Sequence, residues 1–117
     1  MSTGNPPPVG TPGLVVFARF EANEGWEGHV RTALMEMVAP TLLEEANLGY
    51  AVHESSANPR LFLLYEQWTG KPGLEEHMRT PHFRELTTRL ENALAKPLEV
   101  LEARMLDGEV APAATGD

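Results

Sequence analysis

The chain has 117 residues, with 9 lysine plus arginine against 17 aspartate plus glutamate, and a formal charge of -8 at pH 7. That length fits one domain, and the acidic balance argues against a phosphate-neutralising surface and so against nucleic acid as a partner. With no cysteine, a disulfide scaffold, a Cys-ligated metal centre and a thiol nucleophile are excluded.

The first segment, 1–13, holds Pro6, Pro7, Pro8 and Pro12 among glycines and carries almost no bulky apolar side chain. It cannot bury enough surface to offset its ordering entropy, so a disordered tail is expected there. The acidic, Ala/Pro-containing stretch 107–117 reads the same way, which leaves 14–106 as the folded unit. No apolar run approaches the roughly 18 residues of a membrane span. No basic-then-apolar leader is visible either, and the expectation is a cytoplasmic protein with no membrane partner.

Leu14–Glu21 (LVVFARFE) is β-branched and aromatic, as a strand requires. Trp26, Val30, Ala33, Leu34, Met37 and Val38 then recur with the spacing of one helix face. Pro40 is expected to end or kink that helix, with another turn over Thr41–Glu45. Gly49–Ser55 and Arg60–Thr69 read as two strands joined by the turn Ser56-Ala57-Asn58-Pro59, an antiparallel hairpin. Pro72–Arg79 is a short helix. Thr80-Pro81 supplies an N-cap and a first-turn proline for the next one, which buries Phe83, Leu86, Leu90 and Leu94. Leu98–Leu106 is the last strand.

The order β-α-β-β-α-(α)-β is the ferredoxin-like pattern, an α+β fold with helices on one face of a four-stranded antiparallel sheet. Leu14–Phe17 and Leu61–Tyr65 are apolar at consecutive positions, so both sheet faces are apolar, yet helices cover only one. A bare apolar face calls for self-association, and a homodimer packed sheet to sheet is the expectation.

The stretches LVVFARFE, EEANLGYAVHES, NPRLFLLYEQW and EEHMRTPHF together resemble the antibiotic biosynthesis monooxygenase family of dimeric α+β-barrel proteins, over about 14–106. Tyr50–His53, Tyr65-Glu66-Gln67-Trp68 and His77 through Phe83 point to the branch that includes quinol monooxygenases. The resemblance implies a hydrophobic pocket between sheet and helices. It also implies oxidation of a small aromatic, phenolic or quinol substrate by dioxygen, without metal, flavin or other cofactor. The same fold hosts haem-degrading enzymes and an isomerase acting on a phosphorylated dione. A haem reading fits poorly, because the axial-histidine position falls on Thr87 and an asparagine of those relatives falls near Ala18.

Oxygenation without a cofactor needs a base to make an oxidisable anion and walls that exclude water. Histidine suits the base role, its unperturbed pKa lying near neutrality. His53, in mid-strand, reads either as a pocket or dimer-cavity base or as a strand residue with one wet edge. His77 ends the short helix and either overhangs the pocket or packs against a helix C-terminus. His82, in the first turn after Pro81, meets the positive end of the helix dipole, which favours its neutral form. Glu66 shares a strand face with Phe62, Leu64 and Trp68, where a carboxyl is either buried with a partner or set where the strand meets solvent. Tyr50 and Trp68 are packing aromatics that also suit a wall for a planar substrate.

His29, Glu44 and Glu45 read as surface residues, and Asn47 as turn chemistry. No tight ligand pair such as His-x-His occurs, and His77 and His82 straddle a helix break, so no metal is expected. A proton-transfer isomerase would use the same base but would need cationic anchors, for which Arg19, Lys71, Arg79 and Arg84 are available. A non-catalytic dimeric ligand-binding module would use these aromatics for packing alone.

Overall fold

Two central strands carry the architecture of this computed structural model, which describes residues 12–108. β1 (Leu14–Glu21) pairs antiparallel with β3 (Leu61–Trp68), Leu14 opposite Trp68 and Glu21 opposite Leu61. β2 (Asn47–Glu54) flanks β3, and β4 (Glu99–Ala103) flanks β1, giving the order β2-β3-β1-β4. The connections hold α1 (Glu27–Met35), α2 (Val38–Leu42), α3 (Lys71–His77) and α4 (Pro81–Leu90). This is the expected α+β, ferredoxin-like arrangement. The tails expected over 1–13 and 107–117 lie almost wholly outside the described residues. Gly13, at the edge of the first, donates its N–H to the Trp68 carbonyl at 2.9 Å. Among the described residues, no helix is long and apolar enough to cross a membrane.

The period-2 pattern of the strands decides what the helices cover. Ala18 and Phe20 of β1, Phe62 and Leu64 of β3 and Tyr50 of β2 form one core with Val30, Leu34, Met37, Leu86 and Leu90 from the helices. Val16, Trp68 and Leu74 form a second cluster at the other end of the same face. The opposite face is bare, with Phe17 and Leu101 exposed to 48% and 67%, and Phe17 set against Tyr65 with ring centroids 5.2 Å apart.

Three local features depart from the sequence pattern or refine it. The break expected at Pro40 falls earlier, at Glu36–Met37 between α1 and α2, because a proline ring excludes the helical carbonyl four residues before it. The β2 register slips between Asn47 and Gly49; past that bulge Tyr50 lies opposite Glu66, on the helix side, and His53 opposite Leu63, on the bare side. The last strand is shorter than 98–106 and wholly exposed at the sheet edge.

Two contacts set the corner between α3 and α4 against the α2–β2 turn. A Cβ on Gly73 would stand 2.5 Å from the Cβ of Ala46, so only glycine lets α3 approach that turn so closely. Thr80 then joins the helices. Its Oγ1 accepts from Phe83 N–H at 3.2 Å and donates to the His77 carbonyl at 2.7 Å. Replacing an N-cap threonine by alanine typically costs about 1 kcal/mol. Thr80→Ala is therefore expected to lower the urea midpoint by that amount of stability with an unchanged m-value, measured by equilibrium unfolding.

Candidate functional site

α3 ends on His77, and α4 places His82 in its first turn. Both rings turn toward the segment after α2, where Glu44 lies three residues beyond the wholly buried Thr41 and so on the same helical face. His77 donates from Nδ1 to Glu44 Oε2 at 2.7 Å, and His82 from Nε2 to the same oxygen at 2.6 Å. The side chains of His77, Glu44 and His82 are 2%, 14% and 22% exposed, so the set is sealed at one end and open at the other.

Aromatic rings enclose the sealed end. Trp68 lies 4.8 Å from the His77 ring centroid, Phe83 5.2 Å and Tyr50 5.9 Å. These positions follow from the fold: Tyr50 and Trp68 are helix-facing residues of β2 and β3, and Phe83 is the residue whose N–H caps onto Thr80. Glu66 stands on the same face of β3. Its Oε1 accepts from Trp68 Nε1 at 2.8 Å, the reach of two residues on one side of a strand.

Burial governs the proton affinities here. It pushes the Glu66 carboxyl up to about 7, with the charge of Glu44 adding to the rise and the Trp68 N–H opposing it. Burial also raises the Tyr50 phenol far above its ordinary value, helped by the neighbouring Glu66. His77 is lowered by burial, although its bond to Glu44 works the other way. The Thr41 hydroxyl is buried without a partner at hydrogen-bond geometry among the described residues.

A carboxyl that holds a histidine by one ring nitrogen fixes the ring and presents the other nitrogen as an acceptor. The arrangement is that of an oriented base, and His82 carries it to the surface. A groove of about 190 Å³ opens there, with Ala33, Met37, Pro40 and Leu86 as apolar lining and Glu36, Glu85 and Arg89 as polar lining beside His82. The rings of Trp68, Phe83 and Tyr50 pack around His77 between sheet and helices. A larger recess of about 460 Å³ lies elsewhere, lined by Arg19, Glu21 and residues 96–99. Its charges pair among themselves, as Arg19–Glu99 and Lys96–Glu21, and none of the candidate site residues lines it.

The structure thus brings together Tyr50, Glu66, Trp68, His77 and His82. His53 is not among them. It is exposed on the bare sheet face, its Nδ1 3.3 Å from the Leu63 carbonyl, because the β2 bulge sets its parity opposite to that of Glu66. Glu44, read as a surface residue, is instead the centre of the set. Its signal was the stripe Val30, Ala33, Leu34, Met37, Thr41, which continues at helical spacing to Glu44 once it is carried through Pro40.

The sequence profile described as antibiotic biosynthesis monooxygenase matches residues 13–89. The chain is 28% identical over 94 residues to "Putative monooxygenase Rv0793" of Mycobacterium tuberculosis, covering 80% of this chain and 92% of that protein. It is 30% identical over 63 residues to the uncharacterised protein sll1783 of Synechocystis, where the match spans only 43% of the relative. Among solved structures, PA3566 from Pseudomonas aeruginosa superposes with a TM-score of 0.78 at 29% identity, covering 83% of this chain and 96% of the other. The Rv0793 structure does so with a TM-score of 0.78 at 26% identity, covering 83% and 98%.

The raised Glu66 has a measurable consequence. Between its ordinary value of 4.5 and the folded value of about 7, the folded chain holds a proton that the unfolded chain has lost, so stability falls as pH rises through that window. The lowered His77 acts in the opposite sense, its contribution being lost as pH falls. Comparing wild type with Glu66→Gln isolates the carboxyl: the variant should gain about 3 kcal/mol on wild type between pH 4 and pH 8, read from urea unfolding at the two pH values. A constant difference would show that Glu66 does not titrate in this window.

Proposed function

Because the chain belongs to the antibiotic biosynthesis monooxygenase family, we propose that it oxidises a small phenolic, quinol-like compound with dioxygen as the only co-substrate. The observation that supports this most is the pairing of His77 and His82 with one oxygen of Glu44, with His77 enclosed by Trp68, Phe83 and Tyr50 and His82 lining a groove. Oxygenation of this kind begins with removal of a phenolic proton, since the anion reduces dioxygen far more readily than the neutral phenol. The accepting group is a ring nitrogen of His82 at the groove, with Glu44 stabilising the imidazolium that results. His77, buried and held toward its neutral form, fixes the carboxyl from the other side. Glu66, raised to about 7, holds the Trp68 ring in place through its hydrogen bond, and that ring packs against His77.

The reaction balances without an external reductant. A quinol and dioxygen give a hydroxyquinone and water; the substrate supplies all four electrons, one oxygen atom enters the ring, and the other leaves as water. A dry cavity of about 150 Å³ holds benzene, so a groove of about 190 Å³ suits a single-ring substrate. Arg19, Lys71 and Arg79, named as anchors for the isomerase alternative, are paired with Glu99, Glu102 and Glu76, and Arg89 in the groove with Glu36, which leaves these four poorly placed to anchor a phosphate.

Oxygen-uptake measurements across a series of single-ring quinols test this reading. Turnover should stop under anaerobic conditions and should not fall after dialysis against a chelator. Glu44→Gln and His82→Ala should each lower kcat by about 100-fold or more, while His29→Ala leaves it unchanged. Absence of oxygen uptake throughout the series would leave the chain as a non-catalytic binding module, whereas full activity in both site variants would place the base elsewhere in the chain.

The bare sheet face supports a homodimer. Burying Phe17, Leu63, Tyr65 and Leu101 against a second copy removes an apolar surface that a lone domain would leave in water. Sedimentation equilibrium at micromolar concentration should give the dimer mass, and Phe17→Asp, with a charge in the middle of that face, should give the monomer.

A further inference from the structure

We propose that Glu44, His77 and His82 form a binding site for a divalent first-row transition ion of the zinc class, with Glu44 Oε2, His77 Nδ1 and His82 Nε2 as ligands. These three atoms all lie within 4.8 Å of one another, and each comes from a different element: the turn after α2, the end of α3 and the start of α4. Two imidazoles and one carboxylate are the donor set of a zinc site that keeps a fourth position for water or another ligand. The same set discriminates against calcium and magnesium, which prefer shells of oxygen alone.

Metal binding requires an adjustment of the three ligands. Ligands about 2.0 Å from a tetrahedral ion stand about 3.3 Å apart, whereas the two contacts to Glu44 measure 2.7 and 2.6 Å. The carboxyl withdraws by about half an ångström, and the two ring nitrogens, within 4.8 Å of each other, settle at the same spacing of about 3.3 Å, each ring then carrying its N–H on the opposite nitrogen. Glu44 and His82 are partly exposed and free to make that movement, while His77 is fixed by Trp68, Phe83 and Tyr50. Such a dry aromatic shell around one ligand limits solvent access and holds the ring in place. The 22% exposure of His82, at the groove, supplies the entry path. A proton and an ion compete for the same lone pairs, so an ion bound here excludes the acid–base role of these residues.

The chain has two tryptophans, and Trp68 packs against His77 at 4.8 Å, so Trp26→Phe leaves a single reporter at the site. Metal-stripped Trp26→Phe protein is titrated with Zn²⁺ by calorimetry and with Ni²⁺ by quenching of Trp68 fluorescence. The expected result is one equivalent per chain. Binding should be at least about 10-fold weaker in both Glu44→Gln and His82→Asn, and unchanged in His29→Ala and His53→Ala. Circular dichroism confirms that the variants are folded, the isosteric Glu44→Gln being the decisive one. Three results would overturn the proposal: no saturable binding below about 100 µM, binding insensitive to Glu44→Gln and His82→Asn, or binding abolished by His29→Ala or His53→Ala. The readout is binding rather than turnover, so this proposal stands or falls separately from the oxygenase reading.

Discussion

One carboxyl oxygen of Glu44 holds two imidazoles, at 2.7 Å to His77 and 2.6 Å to His82. That shared oxygen ties the turn after α2 to the corner between α3 and α4, two segments more than thirty residues apart in the chain. A buried polar group must be paired or its desolvation goes uncompensated. His77, almost wholly buried, therefore requires Glu44, and the rings of Trp68, Phe83 and Tyr50 can close around it only because that requirement is met. The same rings raise the local cost of charge, which is why Glu66 keeps its proton to about pH 7 while His77 is lowered.

The sheet distributes these roles between its faces. Its helix side carries Tyr50 and Trp68 into contact with His77 and Glu66 into contact with Trp68, whereas its bare side carries Phe17, Leu63, Leu101 and His53. A strand alternates sides at every residue, so a single bulge in β2 settles which of Tyr50 and His53 belongs to the chemistry. The close packing of Gly73 on Ala46 and the capping role of Thr80 then determine how near α3 and α4 come to the turn that bears Glu44. Chemistry and fold are coupled at that corner.

Much of the fold was legible in the chain itself. Strand and helix positions followed from apolar period, the hairpin from Ser56-Ala57-Asn58-Pro59, and the start of α4 from Thr80-Pro81. Pro40 misled by one turn because its steric effect acts on the carbonyl four residues earlier rather than at its own position. Within the site, His77, His82, Glu66, Tyr50 and Trp68 were all identifiable as candidates from residue type and strand parity. Glu44 was not, since two adjacent glutamates at a helix end look alike until the stripe from Val30 to Thr41 is followed past the proline.

Residue type, spacing and the alternation of apolar positions by themselves determined the α+β order, the two apolar sheet faces and a short roster of ionisable candidates. These are local properties, set by backbone periodicity and by the cost of burying polar groups. Which candidates meet was decided by tertiary structure alone. Convergence on one Glu44 oxygen depends on strand register, a bulge and the packing of α3 against a distant turn, and none of these is encoded within any single window of the chain.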